Sequence, residues 1–299
     1  MTVEAQSLTL AEAYRQCRAF TKRRATNFYY AFASLPRDKR NAIYAAYALA
    51  GSVDDAVDEA GADGERQQRL DDAQRLLARA YAGGGEDWLS IALGDAVRRY
   101  GIPRAYFQDL IAGMEQDIIQ TRYVTYADLE QYCYRAAAAV GLISIEIFGY
   151  DRSRRDLAIA AAIDMGKALQ LTNIMRDVAE DAERDRVYLA QEDLARFGYS
   201  ENDLRANVYN DAFRKLMAEY GRRAEALYES GLRLIPLLDG PRSRMCCNGL
   251  QGVYRRILDE IIKRDYDVYS ERVSPSKAGR LLLLFRLWVG GALPKRSAN

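Results

Sequence analysis

Two short acidic runs are the residues in this chain most able to do chemistry. In the first, Ser52-Val53-Asp54-Asp55-Ala56-Val57-Asp58-Glu59, Asp54 and Asp58 stand four positions apart. On a helix they share a face, with side chains about 5 to 6 Å apart. At an effective dielectric near 20 two such charges repel by about 3 kcal/mol, so in a cleft they call for a cation or a proton. In bulk water the repulsion largely vanishes, and a solvated acidic helix end explains one such cluster equally well. The second run, Asn173-Ile174-Met175-Arg176-Asp177-Val178-Ala179-Glu180-Asp181, repeats the spacing. With Gln170 it forms a polar stripe, Gln170, Asn173, Asp177 and Asp181, in three- and four-residue steps. That stripe continues an apolar stretch, Ala168-Leu169-Leu171, which is unusual for a merely solvated face. Carboxylate and amide oxygens suit magnesium, or manganese in its place, and such an ion bridges readily to phosphate oxygens.

The chain contains no histidine. Histidine triads, imidazole bases and His-rich zinc sites are therefore excluded, and chemistry must rest on Asp, Glu, Tyr, Lys, Arg, Cys or a bound ion. Cys17, Cys133, Cys246 and Cys247 show no metal-ligand spacing and read as packed, reduced thiols of a cytoplasmic protein. Asp117 to Tyr123 could add a further acid and a basic group, although a surface helix end accounts for them as well. Arg184, Arg186 and Tyr188 follow the second acidic run, and Tyr266 to Arg272 supplies more aromatic and guanidinium groups. Arginine forks fit diphosphate oxygens, while most arginines in most proteins are simply solvated.

Helices must position these residues. No proline occurs between Pro103 and Pro236, and period-2 alternation is absent there. Hydroxyl caps with a following acid recur at Thr9/Glu12, Thr125/Asp128, Ser153/Asp156 and Ser200/Asp203. Breaks fall at Leu35-Pro36, Ala82 to Gly85, Gly101 to Pro103, Gly149 to Ser153, Phe197 to Ser200 and Asp239 to Pro241, which predicts eight or more helices. Ala-rich stretches such as Arg135 to Val140 and Leu157 to Ala162 permit close helix approach, around either a cavity or a solid core.

Composition sets the remaining bounds. Hydrophobic residues make up 49% and charged residues 28% of 299 positions, with a formal charge of +1. This is a globular composition without a general polyanion-binding surface, so nucleic acid is not an expected partner. Leu281 to Leu293 is apolar but short and interrupted by Arg286. A spanning helix needs about 20 apolar residues, so this tail reads as a buried terminal helix or one resting on lipid.

From about Phe28 to about Leu281 the chain resembles the synthases that join two prenyl diphosphates head to head: squalene, phytoene and dehydrosqualene synthases. The landmarks are Phe28-Tyr29-Tyr30-Ala31-Phe32 with Leu35-Pro36, Tyr44 to Tyr47, and Val53-Asp54-Asp55-Ala56-Val57-Asp58. They continue with Tyr132-Cys133 to Val140-Gly141, the run Gly166 to Asp177, and Arg186-Val187-Tyr188-Leu189. The Gln170-Leu171-Thr172-Asn173-Ile174-Met175-Arg176-Asp177 segment is the most specific of them.

The resemblance implies an all-α, single-domain helical bundle of the isoprenoid-synthase type over 1–299, built around a central cavity. It implies a magnesium cluster at Asp54, Asp58, Asn173, Asp177 and Asp181, with Gln170 in support. Arg176 and Arg272 match diphosphate contacts. Tyr47, Tyr132, Tyr188 and Tyr254 match tyrosines of the reaction chamber, Tyr188 among the catalytic groups. Gly51 stands where the family usually carries arginine, with Lys22, Arg23 or Arg24 as candidate replacements, and Ala190 replaces a frequent proline. The Gln191 to Gly198 segment favours a prenyltransferase that takes two C15 farnesyl diphosphates to presqualene diphosphate or squalene. A phytoene synthase using two C20 geranylgeranyl diphosphates is the alternative, and a non-catalytic helical partner subunit is a third reading. NADPH dependence stays open, since no GxGxxG loop is present. The expected setting is cytoplasmic, with peripheral contact at the inner membrane face as an option and the oligomeric state open.

Overall fold

The computed structural model describes residues 8–24, 26–58, 63–83 and 85–273, without the side chains of 26–27, 54–58 and 63. Its regular structure is helical: α1 Leu10–Arg24, α2 Thr26–Phe32, α3 Arg37–Asp58, α4 Asp63–Tyr81, α5 Trp88–Tyr100, α6 Arg104–Ile119, α7 Tyr126–Cys133 and α8 Ala139–Phe148. There follow α9 Arg155–Arg176, α10 Val178–Glu183, α11 Gln191–Phe197, α12 Glu201–Arg205, α13 Asp211–Gly231 and α14 Gly240–Lys263. Among the described residues the only β-type pairings are isolated bridges, Arg122 with Val187 and Tyr150 with Leu238. No helix among them is long and apolar enough to cross a membrane. The Leu281 to Leu293 tail lies outside the described residues.

Most expected breaks coincide with helix ends. Gly101 terminates α5 in the left-handed region, φ 61°, a conformation that glycine adopts without a Cβ clash. Thr125 with Asp128 and Ser200 with Asp203 form reciprocal capping boxes, and Thr9 exchanges the same bonds with Glu12. Ser153 does not cap a helix with Asp156. Its hydroxyl donates to Asp151 at 2.6 Å instead, inside a 3-10 turn, and α9 starts at Arg155. The nearer carboxylate, two residues upstream, captures the hydroxyl first.

Helix α9 runs through the centre and packs against α8, α13 and α14. Close approach explains its small residues. A Cβ on Gly166 would stand 2.5 Å from the Ala138 Cα, so only glycine lets α9 meet the Ala-rich segment. That segment is a π-helical turn, Tyr134–Ala138, between α7 and α8. Such turns re-aim the side chains around them and often mark functional sites. All four cysteines are free and buried, consistent with packed thiols.

Candidate active site

A cavity of about 470 Å³ lies between α3, α6, α8, α9 and α14. Each helix offers it one face at three- or four-residue steps: Tyr47, Ala50 and Gly51 from α3, Leu110 and Met114 from α6, Val140, Gly141, Ser144, Ile145 and Phe148 from α8. Helix α9 contributes Ala162, Met165, Gly166, Leu169, Gln170 and Asn173, and α14 contributes Cys247, Leu250, Gln251 and Tyr254. The eleven steps from Ala162 to Asn173 span about 16 Å at 1.5 Å per residue. Along that length the α9 lining passes from apolar to polar, ending on Gln170 and Asn173. An aromatic wall flanks the polar end, where the Phe28 ring lies 5.3 Å from Tyr47 and 6.0 Å from Tyr254.

Five of the residues implied by the resemblance, Gln170, Asn173, Arg176, Asp177 and Arg272, gather at or beside the polar end. Asn173 keeps its Nδ2 3.5 Å from the Gln170 Oε1, while its own Oδ1 is buried without a hydrogen-bond partner. One step on, α9 ends and Asp177 takes a bridge conformation, φ −102° and ψ 14°. The backbone bonds nonetheless continue, from Asp177 N to Asn173 O and from Asp181 N to Asp177 O, both 2.9 Å. The four-residue spacing therefore survives a bend that the periodicity did not announce. Asp177 is gripped by Arg176, whose Nε donates at 2.7 Å, and by Arg272, whose Nη2 donates at 2.9 Å. Arg272 also reaches Glu180 at 2.9 Å. Burial tends to raise the Asp177 carboxyl, but the bonds and charge of Arg176 and Arg272 outweigh it and hold the group below the usual range.

Asp181 behaves oppositely. Burial, followed by the negative charge of Asp177, pushes it up to about 7 against the partial relief given by Arg186 and Arg184. A buried amide oxygen with no donor and a carboxyl burdened by neighbouring acids both fit a hard cation. Asp54 and Asp58 belong to the last two turns of α3, whose Tyr47, Ala50 and Gly51 line the cavity; their side chains lie outside the described residues.

Gly51 has a reason of its own. A Cβ there would stand 2.8 Å from Cε1 of Phe20, so the neighbouring ring already fills the space. All three candidate replacements for the family arginine are exposed, and of them Arg24 lines the cavity whereas Lys22 and Arg23 do not.

Tyr132 and Tyr188 do not line the cavity itself. Both are buried one layer beyond it, stacked at 5.0 Å, and both donate to Asp117 at 3.0 Å. Burial and the Asp117 charge push both phenols up, so they remain hydroxyl donors at neutral pH. Asp117 stands one turn beyond Met114 on α6, and Tyr132 one turn before Ala136, so the trio adjoins the lining. Tyr123 adds a third ring, 5.8 Å from Tyr188, with a buried hydroxyl that has no partner. The role of Asp117 was invisible in the local pattern, since it depends on partners 15 and 71 positions away. The only sequence signal was an acid preceding Ile118-Ile119 at a helix end.

The loop carrying Tyr188 is held on both sides. Val187 N donates to Thr121 O at 2.9 Å, and Arg122 grips Asp185 and Glu201 at 2.7 and 2.9 Å. At Ala190 the backbone N–H donates to the buried Tyr220 hydroxyl at 2.8 Å, a bond that a proline could not make. Beneath it Asp193 forms a buried pair with Arg223, whose Nη1 lies 2.5 Å away.

A family model described as squalene/phytoene synthase matches residues 21–279. The chain is 39% identical to the 15-cis-phytoene synthase of Synechococcus elongatus over 88% of each sequence. It is 34% identical to phytoene synthase 1 of Zea mays, covering 92% of this chain and 68% of that one. Among solved structures it resembles a dehydrosqualene synthase in complex with ligand, with a TM-score of 0.84, 28% identity, and coverage of 94% of this chain and 97% of that one. It also resembles the squalene synthase HpnC of Alicyclobacillus acidocaldarius, with a TM-score of 0.79, 31% identity, and coverage of 86% and 95% respectively. The fold is accordingly the all-α isoprenoid-synthase bundle, and this chain belongs to the squalene/phytoene synthase family of prenyltransferase-type enzymes.

Proposed function

We propose that this enzyme condenses two C20 prenyl diphosphates head to head, giving phytoene by way of a cyclopropylcarbinyl diphosphate. The observation that carries the reaction class is the apolar cavity ending on Gln170 and Asn173, next to Asp177, Asp181, Arg176 and Arg272. The chain length rests on likeness: identities of 34 to 39% to phytoene synthases against 28 and 31% to the dehydrosqualene and squalene synthases. The C15 preference drawn from Gln191 to Gly198 gives way to C20 on this ground.

In this reading Arg176 and Arg272 bind the leaving diphosphate with guanidinium forks, and Arg24 adds charge from the α1 side. Magnesium, held by Asp54, Asp58, Asn173, Asp177 and Asp181, would supply the positive charge that makes a diphosphate a good leaving group. The chain's residues do the rest. The apolar walls exclude water from the allylic cation formed when the carbon-oxygen bond ionises. Phe28, Tyr47 and Tyr254 present ring faces to positive charge. The cation alkylates the second substrate's double bond, and loss of a proton closes the cyclopropane. Asp117 fixes the hydroxyl directions of Tyr132 and Tyr188 beside the chamber, leaving phenol lone pairs available. A second ionisation and rearrangement, followed by proton loss, yields the hydrocarbon without a reductant.

Incubation with C15 or C20 diphosphate, with and without NADPH, followed by mass identification of the product, tests this. A C40 hydrocarbon from C20 substrate, unaffected by NADPH, is expected. A C30 product formed preferentially from C15 would return the assignment to the squalene branch.

A further inference from the structure

Away from the cavity, four arginines converge on a concavity of about 120 Å³ between α1 and the start of α3. Arg15 and Arg18 come from α1, Arg37 and Arg40 from α3, and Tyr14 and Asn41 complete the walls. Positions 11, 14, 15 and 18 and positions 37, 40 and 41 follow three- and four-residue steps, so each helix presents one face to the groove.

These charges are poorly cancelled. Glu12 lies 3.2 Å from Arg15. Of the other nearby acids, Asp38 pairs with Arg99 at 3.1 Å, and Asp95 takes the Tyr14 hydroxyl at 2.7 Å and approaches Arg99 at 3.8 Å. Among the described residues no carboxylate forms an ion pair with Arg18, Arg37 or Arg40. Two of the three are aimed by neutral acceptors instead: Arg18 Nε donates to the Tyr29 hydroxyl at 3.0 Å, and Arg40 Nη1 to the Ala33 carbonyl at 3.3 Å. Those bonds orient the guanidinium planes and leave their charge intact.

Oriented guanidinium groups without counter-charge match the paired oxygens of a phosphoryl group. The surroundings carry exposed apolar surface as well. Leu10 is 38% exposed beside Ala11, and Tyr30 is 52% exposed with its ring edge-on to Tyr29 at 5.5 Å. Basic and amphipathic residues in this combination suit the headgroup level of an anionic bilayer. The groove is not part of the diphosphate end of the cavity. Arg37 and Asp54 stand seventeen positions apart on one helix, about 25 Å at 1.5 Å per residue.

We propose that this groove is a second phosphoryl-binding site, taking an anionic phosphate group either from a lipid headgroup or from soluble inorganic phosphate. It stands independently of the substrate chain length. The test uses the full chain in magnesium-free buffer, with two probes: vesicles of phosphatidylcholine with or without phosphatidylglycerol, and inorganic phosphate in a calorimetric titration. The wild type should bind at least one probe, and Arg37→Gln/Arg40→Gln should weaken that binding by about tenfold or more. A control, Arg69→Gln/Arg233→Gln, removes two exposed arginines elsewhere and should retain wild-type binding. Binding to anionic vesicles alone assigns the lipid source, and phosphate binding that competes with vesicles assigns the soluble one. Both double variants should melt near the wild-type temperature and turn over prenyl diphosphate normally in vesicle-free buffer. Wild-type protein that binds neither probe, or a groove variant that binds as well as the control, would overturn the proposal.

Discussion

Tyr188 donates its phenol hydroxyl to Oδ1 of Asp117 at 3.0 Å, tying a loop to a helix 71 positions earlier in the chain. Tyr132 donates to the other oxygen of the same carboxylate. Replacing Asp117 with alanine would remove the acceptor of two buried hydroxyls at once and leave them only their 3.5 Å contact with each other, costing about 2 to 4 kcal/mol of stability. Turnover should fall by about a hundredfold as the two phenols lose their orientation. Asp117→Asn retains a carbonyl acceptor, so thermal unfolding and kcat should both show a smaller loss than for Asp117→Ala. Equal losses in the two variants would mean that the charge, and not the bonds, matters.

Asp181 makes a prediction about pH. Its carboxyl is pushed up to about 7 from an ordinary 3.8, first by burial and then by Asp177. Between those values the folded protein holds a proton that the unfolded chain has released. The group's stabilising contribution is therefore complete below about pH 4 and lost as pH rises through about 7. Metal-free protein should lose a few degrees of Tm between pH 5 and 8 through this group, and Asp181→Asn should flatten the profile. A divalent cation bound by Asp181 would have to displace the same proton. Calorimetry near pH 6.5 in buffers of different ionisation enthalpy should register proton release on magnesium binding, and Asp181→Asn should abolish most of it.

At Gly51 sequence and structure point in different directions. Resemblance alone suggests that an arginine there would restore a diphosphate contact. With a Cβ only 2.8 Å from the Phe20 ring, Gly51→Arg should instead overpack the α1–α3 contact and cost about 1 to 3 kcal/mol. Combining it with Phe20→Ala should recover part of the loss, measured as Tm. If the single variant melts normally and binds inorganic diphosphate more tightly, the ring yields easily and the steric account fails.

Local signals carried the helical class: the proline-free interval, the cap pairs at Thr9, Thr125 and Ser200, and the stripe from Gln170 to Asp181. These depend on residues three or four apart, which a single sequence records directly. The bend at Asp177 was hidden because its backbone bonds keep the helical register on either side. The π-helical turn at Tyr134–Ala138 was hidden because alanines suit any helix. Contacts between distant positions were wholly illegible by periodicity. Arg272 meets Asp177 across 95 residues, and resemblance, not spacing, first linked both to diphosphate chemistry.

Whether the two acidic runs act together on one diphosphate is tested most directly by Asp54→Ala and Asp177→Ala. The measurement is magnesium-dependent release of inorganic diphosphate from C20 prenyl diphosphate, alongside far-UV circular dichroism of each variant. Each substitution should cut the rate by about a thousandfold or more while the helical signal stays intact. Wild-type rates in both variants would contradict the account.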